Sequence, residues 1–210
     1  MTRLLELFSG TKSVSNAIGE RYDEIFSVDI LEKFNPTVAI DVLKWDYKVY
    51  PPGHFDAIWA SPPCTEYSKM KYISRSPRNL DLADSIAKRT IEIIDYFQPE
   101  RWYIENPQTG MLKDREFMFG IPFVDVDYCM YSDWGYKKKT RIWTTVDYEG
   151  KLCNKKCGNI INGVHASAIQ HYTTKTYNMD KALAVYRSQN KDYLYRIPER
   201  LIQELFDAPV

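Results

Sequence analysis

A cysteine that follows two prolines has the clearest chemical potential in this sequence. In Ser61-Pro62-Pro63-Cys64 the prolines stiffen the chain, and neither can donate to a sheet ladder, so a strand must end there. A thiol held rigidly at a strand end is a candidate nucleophile; the competing reading is a small buried hydrophobe. Glu105-Asn106-Pro107 places a carboxylate at the end of another apolar run. Asp29 and Asp41 close two more, and Asp29 stands nineteen positions after Gly10. Carboxylates so placed can accept from ribose hydroxyls and from an adenine amino group. Each also reads as an ordinary turn or cap residue. The turn Phe8-Ser9-Gly10-Thr11 would let a ligand approach the backbone beside a helix N-terminus. It lacks a dinucleotide fingerprint, because Lys12 stands where a second glycine is expected. Lys137-Lys138-Lys139-Thr140-Arg141 brings cations to the start of a strand, or is a solvated basic turn.

These residues need elements to hold them. Arg3 to Phe8, Glu24 to Val28, Thr37 to Ile40, Phe55 to Ala60 and Arg101 to Ile104 read as short buried strands. Ser13 to Arg21 reads as a helix. Leu80 to Phe97 has the apolar spacing of a long amphipathic helix. Phe123 to Tyr131 and Thr140 to Val146 read as two further strands close enough to pair. Strands alternating with helices predict an α/β fold: a mostly parallel sheet with helices on both faces. The reactive residues then gather at the carboxyl ends of the strands, where such sheets bind ligands. The expected divisions are a domain over 1–150, a polar insert over 151–195, and a closing segment over 196–210 with a helix from Pro198 to Phe206.

Composition narrows the field. The chain has 210 residues, 28 Lys plus Arg against 28 Asp plus Glu, and 44% apolar residues. That describes an ordinary globular domain with no polybasic tail. Balanced charge leaves nucleic acid open, because a local basic patch suffices. No stretch is apolar enough for a membrane span, and the start lacks a signal peptide's apolar run. The chain is therefore read as intracellular, with no membrane partner. The four cysteines are not expected to form a disulfide frame in such a compartment.

Leu7-Phe8-Ser9-Gly10, Pro62-Pro63-Cys64, Glu105-Asn106 and Lys139-Thr140-Arg141-Ile142-Trp143 occur in the order seen in cytosine-5 DNA methyltransferases. The chain resembles that family over about residues 3–146. The resemblance implies a Rossmann-like fold with an antiparallel hairpin at one edge of the sheet, S-adenosylmethionine as methyl donor, and DNA as partner, its base flipped from a duplex or taken from a single strand. It implies a cofactor site of Phe8, Gly10, Thr11, Asp29, Ile30, Asp41, Val42 and Pro62. Cys64 would add to cytosine C6, Glu105 would bond N3, and Arg141 would stabilise O2 with Lys139 in place of a second arginine. The segment after Cys64 corresponds to the family's mobile catalytic loop, and Ser68, Lys69, Lys71, Arg75 and Arg78 there, with Lys137 and Lys138, are expected on phosphates. The likeness suggests a short phage-type orphan enzyme in the cytoplasm of a bacterium or infected host. The 69 residues after Arg141 leave little room for a DNA-reading domain, so modest specificity is expected.

A second constellation, Cys153, Cys157, His165 and His171, has the donors for tetrahedral zinc, with spacing unlike a standard finger. Its alternative is loop cysteines and DNA-facing histidines. Two other functions stay open: an amino-methyltransferase acting on cytosine N4 or adenine N6, whose loop Ser-Pro-Pro resembles, and a nucleic-acid-binding relative that has lost turnover.

Overall fold

The computed structural model describes residues 1–73, 76–166 and 195–210. Among them seven strands form one sheet in the order β3-β2-β1-β4-β5-β7-β6. They are β1 (Arg3–Leu7), β2 (Glu24–Asp29), β3 (Val38–Ala39), β4 (Ala57–Ala60), β5 (Arg101–Pro107), β6 (Phe123–Asp127) and β7 (Lys139–Trp143). The first five run parallel, and β7 lies antiparallel to both β5 and β6. This is the mostly parallel sheet that the alternation of elements predicts, with the antiparallel edge that the resemblance implies.

The sheet is covered on both faces, which is why its central strands are almost continuously apolar. On one face lies α2 (Leu80–Phe97), started by the Asn79 side chain accepting from the Leu82 N–H. It buries Ala83, Ala87, Ile93, Ile94 and Phe97 against Leu5, Ile58 and the aromatic group Phe26, Trp45, Tyr47 and Phe55. The other face carries α1 (Ser13–Ile18) and α3 (Glu199–Asp207). There Leu201, Ile202, Leu205 and Phe206 meet Val14, Ile18, Trp59 and Tyr103. The Phe206 ring lies 4.8 Å from that of Tyr103, whose hydroxyl donates to the Leu205 carbonyl at 3.0 Å.

Several boundaries differ from those read in the sequence. The Ser13-to-Arg21 helix is α-helical only to Ile18 and finishes as a 3₁₀ turn over Gly19–Arg21. β5 continues three residues past Ile104, because β7 supplies antiparallel partners for Glu105, Asn106 and Pro107. Glu105 and Asn106 therefore stand in a strand, not in the loop beyond it. β6 ends at Asp127 and gives way to a 3₁₀ turn, Tyr128–Met130.

After β7 the chain returns beside β6, with the Asp127 N–H donating to the Lys151 carbonyl at 3.1 Å. The approach is so close that a Cβ on Gly150 would lie 2.2 Å from the Asp125 carbonyl oxygen. A small hairpin follows, β8 (Ile160–Ile161) and β9 (Val164–His165). The rest of the expected insert, 167–194, lies outside the described residues. No helix among the described residues is long and apolar enough to cross a membrane.

Candidate active site

Strand order turns back between β1 and β4, which opens a crevice outside their carboxyl ends. A cavity of about 1240 Å³ occupies it. That exceeds the ~300–1,000 Å³ of most small-ligand sites, so it can hold more than one ligand. All eight residues expected at a cofactor line this cavity: Phe8, Gly10, Thr11, Asp29, Ile30, Asp41, Val42 and Pro62.

At this end of the cavity the backbone is shaped by β1. Phe8 and Lys12 both take left-handed conformations, at φ 57° and 56°, and Gly10 lies between them at 44°. The Lys12 position that departs from glycine is thus one whose geometry favours glycine. The Asp29 carboxylate accepts from the Gly10 N–H on one oxygen and the Leu31 N–H on the other, each at 2.8 Å. Asp41 accepts from the Leu43 N–H at 3.0 Å. Both aspartates are therefore turn residues and cavity residues at once. A ligand would find further polar handles in the buried Ser9 Oγ and Asn106 Oδ1, neither of which has a hydrogen-bond partner among the described residues. The exposed side chains of Ile30 and Leu31 offer an apolar surface at the rim.

The other end is held by β4 and β5. The Asn106 amide donates to the Pro62 carbonyl at 2.8 Å and clamps the Pro-Pro-Cys loop to the neighbouring strand. Cys64 is half-buried, and that burial pushes its thiol up from the usual cysteine range. Lys138 pulls it down and Glu105 adds to the rise. One ammonium does not offset the loss of water. Glu105 is buried and accepts from the Tyr128 hydroxyl at 3.0 Å, with Lys138 Nζ at 3.5 Å from the same oxygen. Burial and the Glu105 charge hold the Tyr128 phenol well above its ordinary range, which keeps it a donor.

Lys137, Lys138 and Lys139 line the cavity, but Arg141 does not. Asp125 is its cross-strand neighbour and takes the guanidinium through bonds of 2.7 and 2.8 Å. The Arg141 guanidinium also lies 3.5 Å over the Phe123 ring. Lys138, expected on phosphate, is instead the cation beside Glu105. Tyr128 was not singled out in the sequence; its only signal was its place at the end of β6.

The segment after Cys64 is tied down. Tyr67 is fully buried, bonds Asp84 through its hydroxyl at 2.9 Å, and accepts the Met111 N–H at its carbonyl. Lys71 Nζ lies 2.7 Å from Glu66, and the Arg78 guanidinium donates to the Glu66 and Ser68 carbonyls. These two cations brace the segment and are not presented to a phosphate backbone. Ser68 and Lys69 line the cavity, and Arg75 lies outside the described residues. The second constellation also differs. Cys153, Cys157 and His165 come together with Cys129, while His171 lies outside the described residues.

The fold is that of Rossmann-like methyltransferases dependent on S-adenosylmethionine. Two solved structures share it: a DNA modification methyltransferase encoded within an E. coli prophage, and a variant of Spodoptera frugiperda DNMT2. Each has 16% identity and a TM-score of 0.51, over 71% and 72% of this chain. This chain spans about half of each, 49% and 55%. No protein-family model matches the chain. A probable DNA (cytosine-5)-methyltransferase of Frog virus 3 (isolate Goorha) is 35% identical over 98% of this chain and 99% of its own length. The chain belongs to the DNA (cytosine-5)-methyltransferase family.

Proposed function

We propose that this chain transfers a methyl group from S-adenosylmethionine to C5 of cytosine in DNA, through a covalent Cys64 adduct at C6. The supporting observation is one cavity that unites Cys64, Glu105 and Lys138 with the Asp29 end of the crevice and has space for a cofactor and a nucleotide together. Phe8, Gly10, Asp29 and Asp41 would hold S-adenosylmethionine, which supplies an electrophilic methyl group.

Cytosine C5 is a poor nucleophile. Cys64 loses its thiol proton to solvent, and its sulfur forms a bond to C6. The displaced electron pair moves toward N3 and O2. Glu105, carrying a proton and oriented by Tyr128, donates to N3, and Lys138 stands on the same side to balance charge at O2. C5, now electron-rich, accepts the methyl group. Loss of the C5 proton to a base then returns the electron pair and expels the Cys64 thiolate. A duplex cytosine must leave the stack to reach this cavity. Lys138 here takes the part expected of Arg141, which Asp125 holds elsewhere.

Incubation with labelled S-adenosylmethionine and mixed DNA, followed by nucleoside mass analysis, tests the reading. 5-Methylcytosine is the expected product. N4-methylcytosine, N6-methyladenine or no product at all would overturn it. A 5-fluorocytosine oligonucleotide should give a denaturation-resistant adduct with the native chain and none with Cys64→Ser.

A further inference from the structure

Cys129, Cys153, Cys157 and His165 lie outside the proposed chemistry, although His165 reaches the cavity rim. All four ligand atoms sit within 4.8 Å of one another. The Nε2 atom of His165 is 3.5 Å from both the Cys153 and the Cys157 sulfur. A tetrahedron with Zn–S of about 2.3 Å and Zn–N of about 2.0–2.1 Å has S···N edges of about 3.5 Å. The four cysteines of the chain are free thiols.

We infer that Cys129, Cys153, Cys157 and His165 bind one zinc ion, which staples the segment 151–166 to the β6 edge of the sheet. Three thiolates and an imidazole form a soft donor set that favours zinc over magnesium, calcium or manganese. Binding releases three thiol protons to solvent and leaves the centre one negative charge. Lys137 stands beside it, donating to the Cys153 carbonyl at 3.2 Å and pairing with Asp127 at 2.8 Å. The surroundings already fix the ligands. The Cys153 N–H donates to Asp127 at 2.7 Å, and the Lys155 N–H reaches the Cys153 sulfur at 3.3 Å. The Asn159 amide grips the Cys129 and Ser132 carbonyls at 3.0 and 2.8 Å.

A second observation is independent of the distances. No residue of 151–166 is buried, and Leu152, Ile161 and Val164 are exposed. A hairpin of two-residue strands with no apolar core is marginal by itself. Metal ligation supplies the missing organisation.

Elemental analysis of the full chain, purified under reducing conditions with zinc present, should find one zinc per chain. Cobalt substitution should give tetrahedral d–d bands and thiolate-to-cobalt charge transfer. Mercurial titration of Cys64→Ser, in which only Cys129, Cys153 and Cys157 remain, should release the metal as all three thiols react. His165→Asn and Cys157→Ser should lose the metal while keeping the far-ultraviolet circular dichroism of the fold, and His171→Asn should keep it. Cys129 is buried, so Cys129→Ser is informative only beside that spectrum; the three-thiol count in Cys64→Ser tests Cys129 without altering it. Absence of zinc and of tetrahedral cobalt bands would overturn the site, as would a disulfide among these cysteines. Release on two thiols, with loss of metal in His171→Asn, would overturn this ligand set.

Discussion

At the scale of single residues, the nucleophile sits where water is scarce. Because burial raises Cys64, the thiol form dominates at neutral pH in the free protein. Its alkylation by iodoacetamide should be slow at pH 7 and should rise with pH, with a midpoint above the ~8.5 of an exposed cysteine. Lys138→Met removes the opposing charge and should move that midpoint higher still. A midpoint below the ordinary value would mean that cations, and not desolvation, govern the site. Lys138→Met should also reduce kcat more than Arg141→Met, since Lys138 and not Arg141 stands beside Glu105. The reverse order in steady-state kinetics would restore Arg141 to the base. Asp29→Ala should weaken cofactor binding by about 1.5–3 kcal/mol, tenfold or more, in a calorimetric titration. Unchanged affinity would show that the two backbone bonds are its whole role.

At the scale of elements, turn geometry carries costs that can be removed. Lys12 starts α1 in a left-handed conformation, which costs a non-glycine residue about 1–2 kcal/mol. Lys12→Gly should therefore raise Tm by roughly 2–4 °C in calorimetry, less whatever the exposed Lys12 bond to the Asn35 carbonyl contributes. Gly150→Ala should destabilise clearly, because its Cβ meets backbone that cannot move without disturbing β6. The same scale shows what was legible in the sequence. Leu80–Phe97 was readable to the residue because one face repeats over five turns and an asparagine caps it. The strand ends that carry Asp29, Asp41 and Cys64 were readable because polar or proline residues interrupt short apolar runs. The fate of Arg141 was not, because it depends on which residue of β6 lies across from it, and register is a long-range property. Cys129 was missed for the same reason. It is 24 positions from Cys153, and only the return of the chain beside β6 makes them neighbours.

At the scale of the whole molecule, few cations among the described residues line the cavity. Lys71 and Arg78 are spent inside the segment after Cys64, which leaves Lys69 and the Lys137–Lys139 run near the cavity. The salt dependence of duplex binding, about −0.9 per phosphate in a log–log plot, should fall by about one unit in Lys69→Met and stay unchanged in Lys71→Met. Equal effects in a filter-binding series would show that Lys71 leaves Glu66 when DNA arrives. The placing of α3 has a bearing on how the protein is made. Leu205 and Phe206 close over Tyr103 and Trp59, which a ribosome delivers about 100 and about 145 residues earlier. At translation speeds of roughly 5–20 residues per second, those two aromatic rings wait roughly 5–30 s without their cover. For that interval the nascent chain exposes part of the apolar back of its own sheet, a surface open to any chaperone that binds apolar segments at the ribosome.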